Sequence, residues 1–349
     1  MVKTAPHRPA TLRRLLWGLG LLLLWTSCRD KPPVEPDPIR YEDGVLVLNE
    51  GNFQWGNASL DFIDAAGKVH KDIFQSTVKR PLGDVGQSIH LVGSTAYLVV
   101  NNSGKVEALS LPNLGSLCAV QGLTSPRQLL PLSGGRAYVT DLYSRQIAVI
   151  DLGTCAITGS IATGGWTEEL IAIGNRVFVA QSGTNRLLVI DPFTDQLIDS
   201  IAIGREPVAL EQGADGLLYV LSSGSLGPEY ASLDVVDPTT RQLVRQLVFP
   251  SGADFPSDLA LNPAGDTLYW LNGGVFRMAT AASNLPTQAW IPADGRNLYS
   301  LAVRPDGTLY VGDAKDYLQA GQVLRYSAGG TLLGTYGVGI IPGDFGFLD

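Results

Sequence analysis

The stretch Val177–Pro207, VFVAQSGTNRLLVIDPFTDQLIDSIAIGREP, decides the fold. It opens with a short apolar run, Val177-Phe178-Val179, and a polar tip, Gln181-Ser182-Gly183-Thr184-Asn185. A second run, Leu187-Leu188-Val189-Ile190, closes on Asp191-Pro192-Phe193-Thr194. A third alternates from Gln196 to Ile201, and Gly204-Arg205-Glu206-Pro207 leads into a fourth, Val208-Ala209-Leu210. Four short β runs separated by Gly, Pro, Asn and Asp, with no 3.6-residue period, read as strands joined by tight turns. One such unit cannot bury its own apolar face, so copies must stack beside it.

The first run recurs with centres at Leu46, Tyr97, Tyr138, Phe178, Tyr219, Tyr269 and Tyr310, at spacings of 51, 41, 40, 41, 50 and 41 residues. The strand after each run ends on Asp64, Ser110, Asp151, Asp191, Asp237, Thr280 or Ser327. These are side chains that bond back to the chain and open a turn, a structural role that needs no metal. Both landmarks count seven units, with six or eight as the alternatives. A period near 40–45 residues with four strands per unit is that of a β-propeller blade. The expected fold is therefore an all-β seven-bladed propeller over residues 41–349. The repeats begin on a second-type strand, Val45–Leu48, and end on Pro342–Phe347, which resembles a missing innermost strand. The C-terminal strand is thus expected to complete the first blade and to cover an edge that would otherwise lie open.

Residues 1–27 read as a signal peptide, with Lys3, Arg8, Arg13 and Arg14 ahead of the apolar run Leu15–Trp25. The run ends Leu24-Trp25-Thr26-Ser27-Cys28, which resembles the lipobox of bacterial lipoproteins except for Trp25, where the pattern usually carries Leu. Cys28 is read as lipidated, ordinary secretion being the alternative. Residues 28–40, with four prolines, read as a semi-extended tether. Export with a lipid anchor in the outer membrane, facing the cell surface, is the expected location.

The chain carries 40 Gly, 21 Pro, 17% charged residues and a formal charge of −8. No basic footprint is present, so nucleic acid is not an expected partner. Cys118 and Cys155, the cysteines of the body, fall in the second and third units. Outer strands of neighbouring blades splay, so two buried thiols are expected, with a disulfide as the alternative in an oxidising compartment.

Catalytic patterns are sparse. His70 and His90 stand apart, and there is no metal-ligand spacing, nucleophile elbow or phosphate loop. His90 is read as a satisfied histidine on an innermost strand. With strands lettered A to D outward, the B–C loops and D–A crossings share one face, here the loop face. The A–B and C–D turns share the other, the turn face. Length variation is read as confined to the loop face, in Glu50–Asn57, Ser225–Tyr230 and Asp313–Tyr317, with longer crossings at Arg80–Asp84 and Asp254–Ser257. Asn52, Trp55, Asp84, Asn102, Tyr143, Trp166, Tyr230, Phe255, Arg296 and Tyr317 are the expected ligand-binding residues of that rim.

Val189-Ile190-Asp191-Pro192-x-Thr194, followed by Ile201-Ala202-Ile203-Gly204-x-x-Pro207, resembles the YncE-like (YVTN-type) propeller repeat. A narrower resemblance rests on the lipoprotein start, Val47–Asn52, Arg80–Gly86 with Val99–Ser103, and Gly339–Phe347. These are similar to the Bacteroidota lipoprotein propellers that include the BtuG-type cobalamin-binding family. That resemblance implies capture of cobalamin or a related bulky ligand on the loop face and delivery to a TonB-dependent outer-membrane transporter. The chain is read as non-enzymatic and monomeric by itself, with no cofactor besides that ligand. Two rivals stand beside it: a lactonase- or lyase-type propeller enzyme using His90, Glu168, Glu169 and Arg205, and an envelope scaffold binding protein or glycan.

Overall fold

Each unit forms strands because β-branched and aromatic residues alternate with turn formers, and the turns close as their side chains dictate. In the computed structural model, which describes residues 40–348 apart from 226 and 228, Asp191 Oδ1 accepts the Phe193 N–H at 3.0 Å. Asp151 does the same for Thr154 (2.7 Å), Asp237 for Thr239 (2.8 Å) and Asp64 for Lys68 (2.8 Å). The described residues form seven four-stranded sheets, each antiparallel. Blade four, for example, runs Leu170–Ile173, Arg176–Gln181, Arg186–Asp191 and Gln196–Ala202 from axis to edge. The ring closes where Pro342–Leu348 pairs with Gly44–Asn49, matching Gly44 to Leu348 and Val47 to Phe345.

The core is a set of layers between blades. Val45 and Val47 of blade one pack on Tyr310 and Val323 of blade seven, and Tyr219 and Leu233 of blade five pack on Leu268 and Trp270 of blade six. Seven apolar clusters result, one at each blade–blade contact. B strands such as Gly44–Asn49 are buried throughout, whereas the outer strand Gln242–Val248 is mostly exposed. Each buried Leu, Val or Phe in these layers contributes roughly 1.5–3 kcal/mol. Every blade is thus packed against a neighbour on both sides.

Three features depart from the expectations. Cys118 and Cys155 are joined in a disulfide, with their Cα atoms 6.2 Å apart. Cys155 ends the turn before its outer strand, with φ 53°, and so meets the neighbouring strand Gly115–Gln121 before the blades splay. Length variation also reaches the turn face: residues 280–290 link the C and D strands of blade six, whose outer strand shrinks to Ile291–Pro292. Finally, the blade-one crossing holds a short helix, Ile73–Val78, whose Ile73 and Phe74 enter the core between blades one and two. The expected signal peptide at 1–27, the expected lipidation site Cys28 and the expected tether up to residue 39 lie outside the described residues.

Candidate functional site

The loop face carries most of the exposed aromatic surface. Trp55 is 77% exposed, and Phe53, Tyr143, Trp166, Tyr230, Phe255 and Tyr317 join it from B–C loops and D–A crossings. Among the described residues, Phe193 is the one large exposed aromatic on the turn face. These aromatics therefore share one face, and polar residues among them hold its loops together. Asn52 Nδ2 donates to the Tyr317 carbonyl at 2.6 Å, tying blade one to blade seven. Asp84 accepts from the Gln54 N–H (3.1 Å) and from Asn102 Nδ2 (2.7 Å), fixing the loop that displays Trp55. Tyr143 and Trp166 meet edge to face with centroids 5.8 Å apart. Arg296 is held by its own turn, on the Ala293 carbonyl at 3.4 Å and near Asp294 at 3.8 Å, outside the channel mouth.

Inside the rim a cavity of about 450 Å³ opens on the axis, with Phe255 and Tyr317 at its lip. Its collar takes one residue from each blade: Gln87, Arg127, Glu169, Val208, Asp258, Tyr299 and Gly343. A shared backbone device places all of them except Glu169. Gly86 faces Val100 and Ser88 faces Val99, so Gln87 is the extra residue of a β-bulge. Val208, Asp258, Tyr299 and Gly343 are the extra residues of equivalent bulges in blades five, six, seven and one. In blade three the shift spans Arg127 and Gln128. A bulge leaves its extra residue out of the ladder and re-aims the side chain, here toward the axis.

Arg127 bridges Glu168 (Nε to Oε2, 2.7 Å) and Gln87, while Tyr299 donates to Glu50 at 2.8 Å. A second cavity of about 380 Å³ continues down the axis and shares Gln87, Gln128, Glu169 and Asp258 with the first. Carboxylates here stitch one blade to the next. Asp344 accepts the Ile89 N–H at 2.9 Å, Glu169 that of Leu210 at 2.6 Å and Asp258 that of Leu301 at 2.7 Å. Desolvation raises the affinity of these groups for protons. Burial pushes Glu211 and Asp258 up to about 7 and Asp344 to about 6. Burial and repulsion from Glu211 hold Glu169 well above the carboxylate range, and burial also raises Glu50. His90 accepts the Leu129 N–H at 3.1 Å, and burial lowers its imidazole to about 4, which keeps it neutral.

Of the rival catalytic set, Glu168 and Glu169 do reach the mouth and His90 lines the lower channel. Arg205 instead pairs with Glu229 (3.1 Å) and Glu206 (3.4 Å) away from both cavities. The guanidinium at the mouth is that of Arg127, which the sequence reading missed together with Gln87, Gln128, Glu50, Tyr299 and Asp258. One signal for them was present: each collar residue outside blade four is the second residue of its innermost strand. Among the described residues, no group of three His, Cys, Asp or Glu is placed to hold a metal ion.

These observations define a closed seven-bladed propeller whose loop face can bind a ligand or support catalysis. The chain belongs to the family described as domain of unknown function (DUF5074), whose model matches residues 43–318. No curated protein matches it. Among solved structures, it is similar to a quinonprotein alcohol dehydrogenase-like protein from Bacteroides thetaiotaomicron, at 15% identity and TM-score 0.70 over 88% of this chain and 79% of that one. A functionally unknown protein from Desulfotomaculum acetoxidans follows at 11% and 0.66, covering 88% and 99%. Streptogramin B lyase matches at 13% and 0.58, covering 72% and 82%. At these identities the likeness is one of fold alone.

Proposed function

We propose that this propeller is a non-enzymatic capture module that holds a bulky, flat, amide-bearing ligand of corrinoid type on its loop face. The observation that supports the reading is the one-sided ring of exposed aromatics, from Trp55 to Tyr317, around a polar opening. Tyr and Trp offer large stacking area at low entropic cost, and loops pre-tied by Asn52, Asp84 and Asn102 lose little freedom on binding. Lipidation at Cys28 would tether the module to the outer membrane, and a TonB-dependent transporter would receive the ligand. Titration of cyanocobalamin into the purified protein, followed by calorimetry and corrin absorbance, tests this. Saturable one-to-one binding that weakens about tenfold when Trp55, Trp166 or Tyr230 becomes Ala is expected, the equivalent of about 1.4 kcal/mol per ring. Absence of binding at about 100 μM ligand, or three variants that bind like wild type, refutes the assignment.

A lyase- or lactonase-type enzyme is the second reading, favoured by Arg127 and Glu168 standing beside Glu169 at the mouth. Chemical change of a bound ligand on prolonged incubation would decide for it.

A further inference from the structure

The rim aromatics surround an opening that they do not fill. The cavity of about 450 Å³ beneath them is large enough for a side arm or a single ring of a captured molecule, and its lining decides what kind of arm. Each charged group at the mouth already has a partner. Arg127 is on Glu168 at 2.7 Å and on Gln87; Glu50 takes the Tyr299 hydroxyl at 2.8 Å. Glu169 and Asp258 each accept a backbone N–H, at 2.6 and 2.7 Å.

An anionic arm would meet four carboxyl groups (Glu50, Glu168, Glu169 and Asp258) and a single guanidinium that is already engaged. A cationic arm would gain most from ionised Glu169 and Asp258, whose ionisation burial opposes, and it would stand beside the Arg127 guanidinium. A neutral group that both donates and accepts meets neither cost. Its N–H or O–H can donate to a second lone pair on a carboxyl oxygen, and its own oxygen can accept from the amide of Gln87 or Gln128 or from Arg127.

We infer that the channel mouth is a subsite for an uncharged hydrogen-bonding arm of the captured molecule, a primary carboxamide or a sugar hydroxyl pair, seated below aromatics that stack its flat part. The inference rests on the capture reading above, but it concerns different residues and can fail separately. The bulges are its structural support, because they turn Gln87, Arg127, Asp258 and Tyr299 out of the ladder and into the opening.

The test uses the full-length chain and three probes: cyanocobalamin, its mono-acids made by hydrolysing one side-chain carboxamide, and the neutral glucose oligomer maltohexaose. Wild type is compared with Gln87→Ala and Tyr299→Phe, after melting curves show that the variants keep the fold. If carboxamides are the source, cyanocobalamin binds, at least one mono-acid binds about tenfold more weakly, and both variants weaken the parent about as much. If sugars are the source, maltohexaose binds and the variants weaken it, and the corrinoid assignment falls while the subsite stands. Unchanged cyanocobalamin affinity in both variants, with Trp55→Ala still weakening it, overturns the subsite and leaves the capture reading intact. Mono-acids that all bind like the parent overturn it without any mutagenesis. Failure of both neutral probes to bind at about 1 mM overturns it as well.

Discussion

Replacing Glu211 by Gln should make the propeller more stable at alkaline pH and leave it unchanged in acid. Glu211 sits on the innermost strand of blade five, Pro207–Gln212, in the lower channel, where its carboxyl accepts the Leu261 N–H and lies near Glu169. Burial raises its pKa from 4.5 to about 7. Below pH 4.5 the group is protonated in both folded and unfolded chains, so it contributes no difference. Between pH 4.5 and 7 the unfolded chain releases the proton while the folded chain keeps it, and stability falls as pH rises through this window. At about 1.4 kcal/mol per pK unit the full loss is roughly 3 kcal/mol above pH 8. Gln keeps the oxygen that accepts from Leu261 but has nothing to ionise. Glu211→Gln should therefore match wild type near pH 4.5 and exceed it by up to about 3 kcal/mol at pH 8.5, a rise of about 5 °C in melting temperature. Melting curves of both proteins at half-unit steps from pH 4.5 to 8.5 read this directly. Asp258 and Asp344 titrate in the same window, so the wild-type slope persists in the variant with a smaller gradient. A difference between the two proteins that stays constant across pH would refute the reasoning, since it would mean that Glu211 is as well solvated in the ring as in the unfolded chain.

Cys118→Ser should cost roughly 3–4 kcal/mol, because the bond closes a loop between positions 37 residues apart, and reducing agent should bring wild type down to the variant in denaturant titrations. Burial pushes the Glu107 carboxyl up, but hydrogen bonds from Arg80 (2.8 Å) and Lys105 (2.5 Å) outweigh it and keep the pKa below the ordinary value. Glu107→Gln should thus destabilise by about 2–3 kcal/mol at neutral pH, with the gap to wild type narrowing below about pH 4.5; an unchanged urea midpoint would count against the pair.

Seven units, their closure by Pro342–Leu348 and the face that carries the aromatics were all legible in the sequence. They depend on local patterns: strand alternation, turn residues such as Asp151 and Asp191, and loop lengths counted from a repeating landmark. The choice of Tyr143, Trp166 and Tyr230 followed from that count, because topology alone assigns each loop to a face.

The channel mouth was a different matter. Gln87, Asp258 and Tyr299 enter it because a bulge in each innermost strand turns one residue out of register, and a bulge depends on the partner strand rather than on the residue itself. Their electrostatics are likewise collective. Glu169 and Glu211 are ordinary carboxylates in the chain and become proton-holding groups only when seven strands converge and exclude water around them. The Cys118–Cys155 bond was decided in the same way, by how neighbouring blades approach at the edge. Periodicity determines how many blades there are, whereas burial and strand register, which arise only once the ring is closed, determine what its axis can bind.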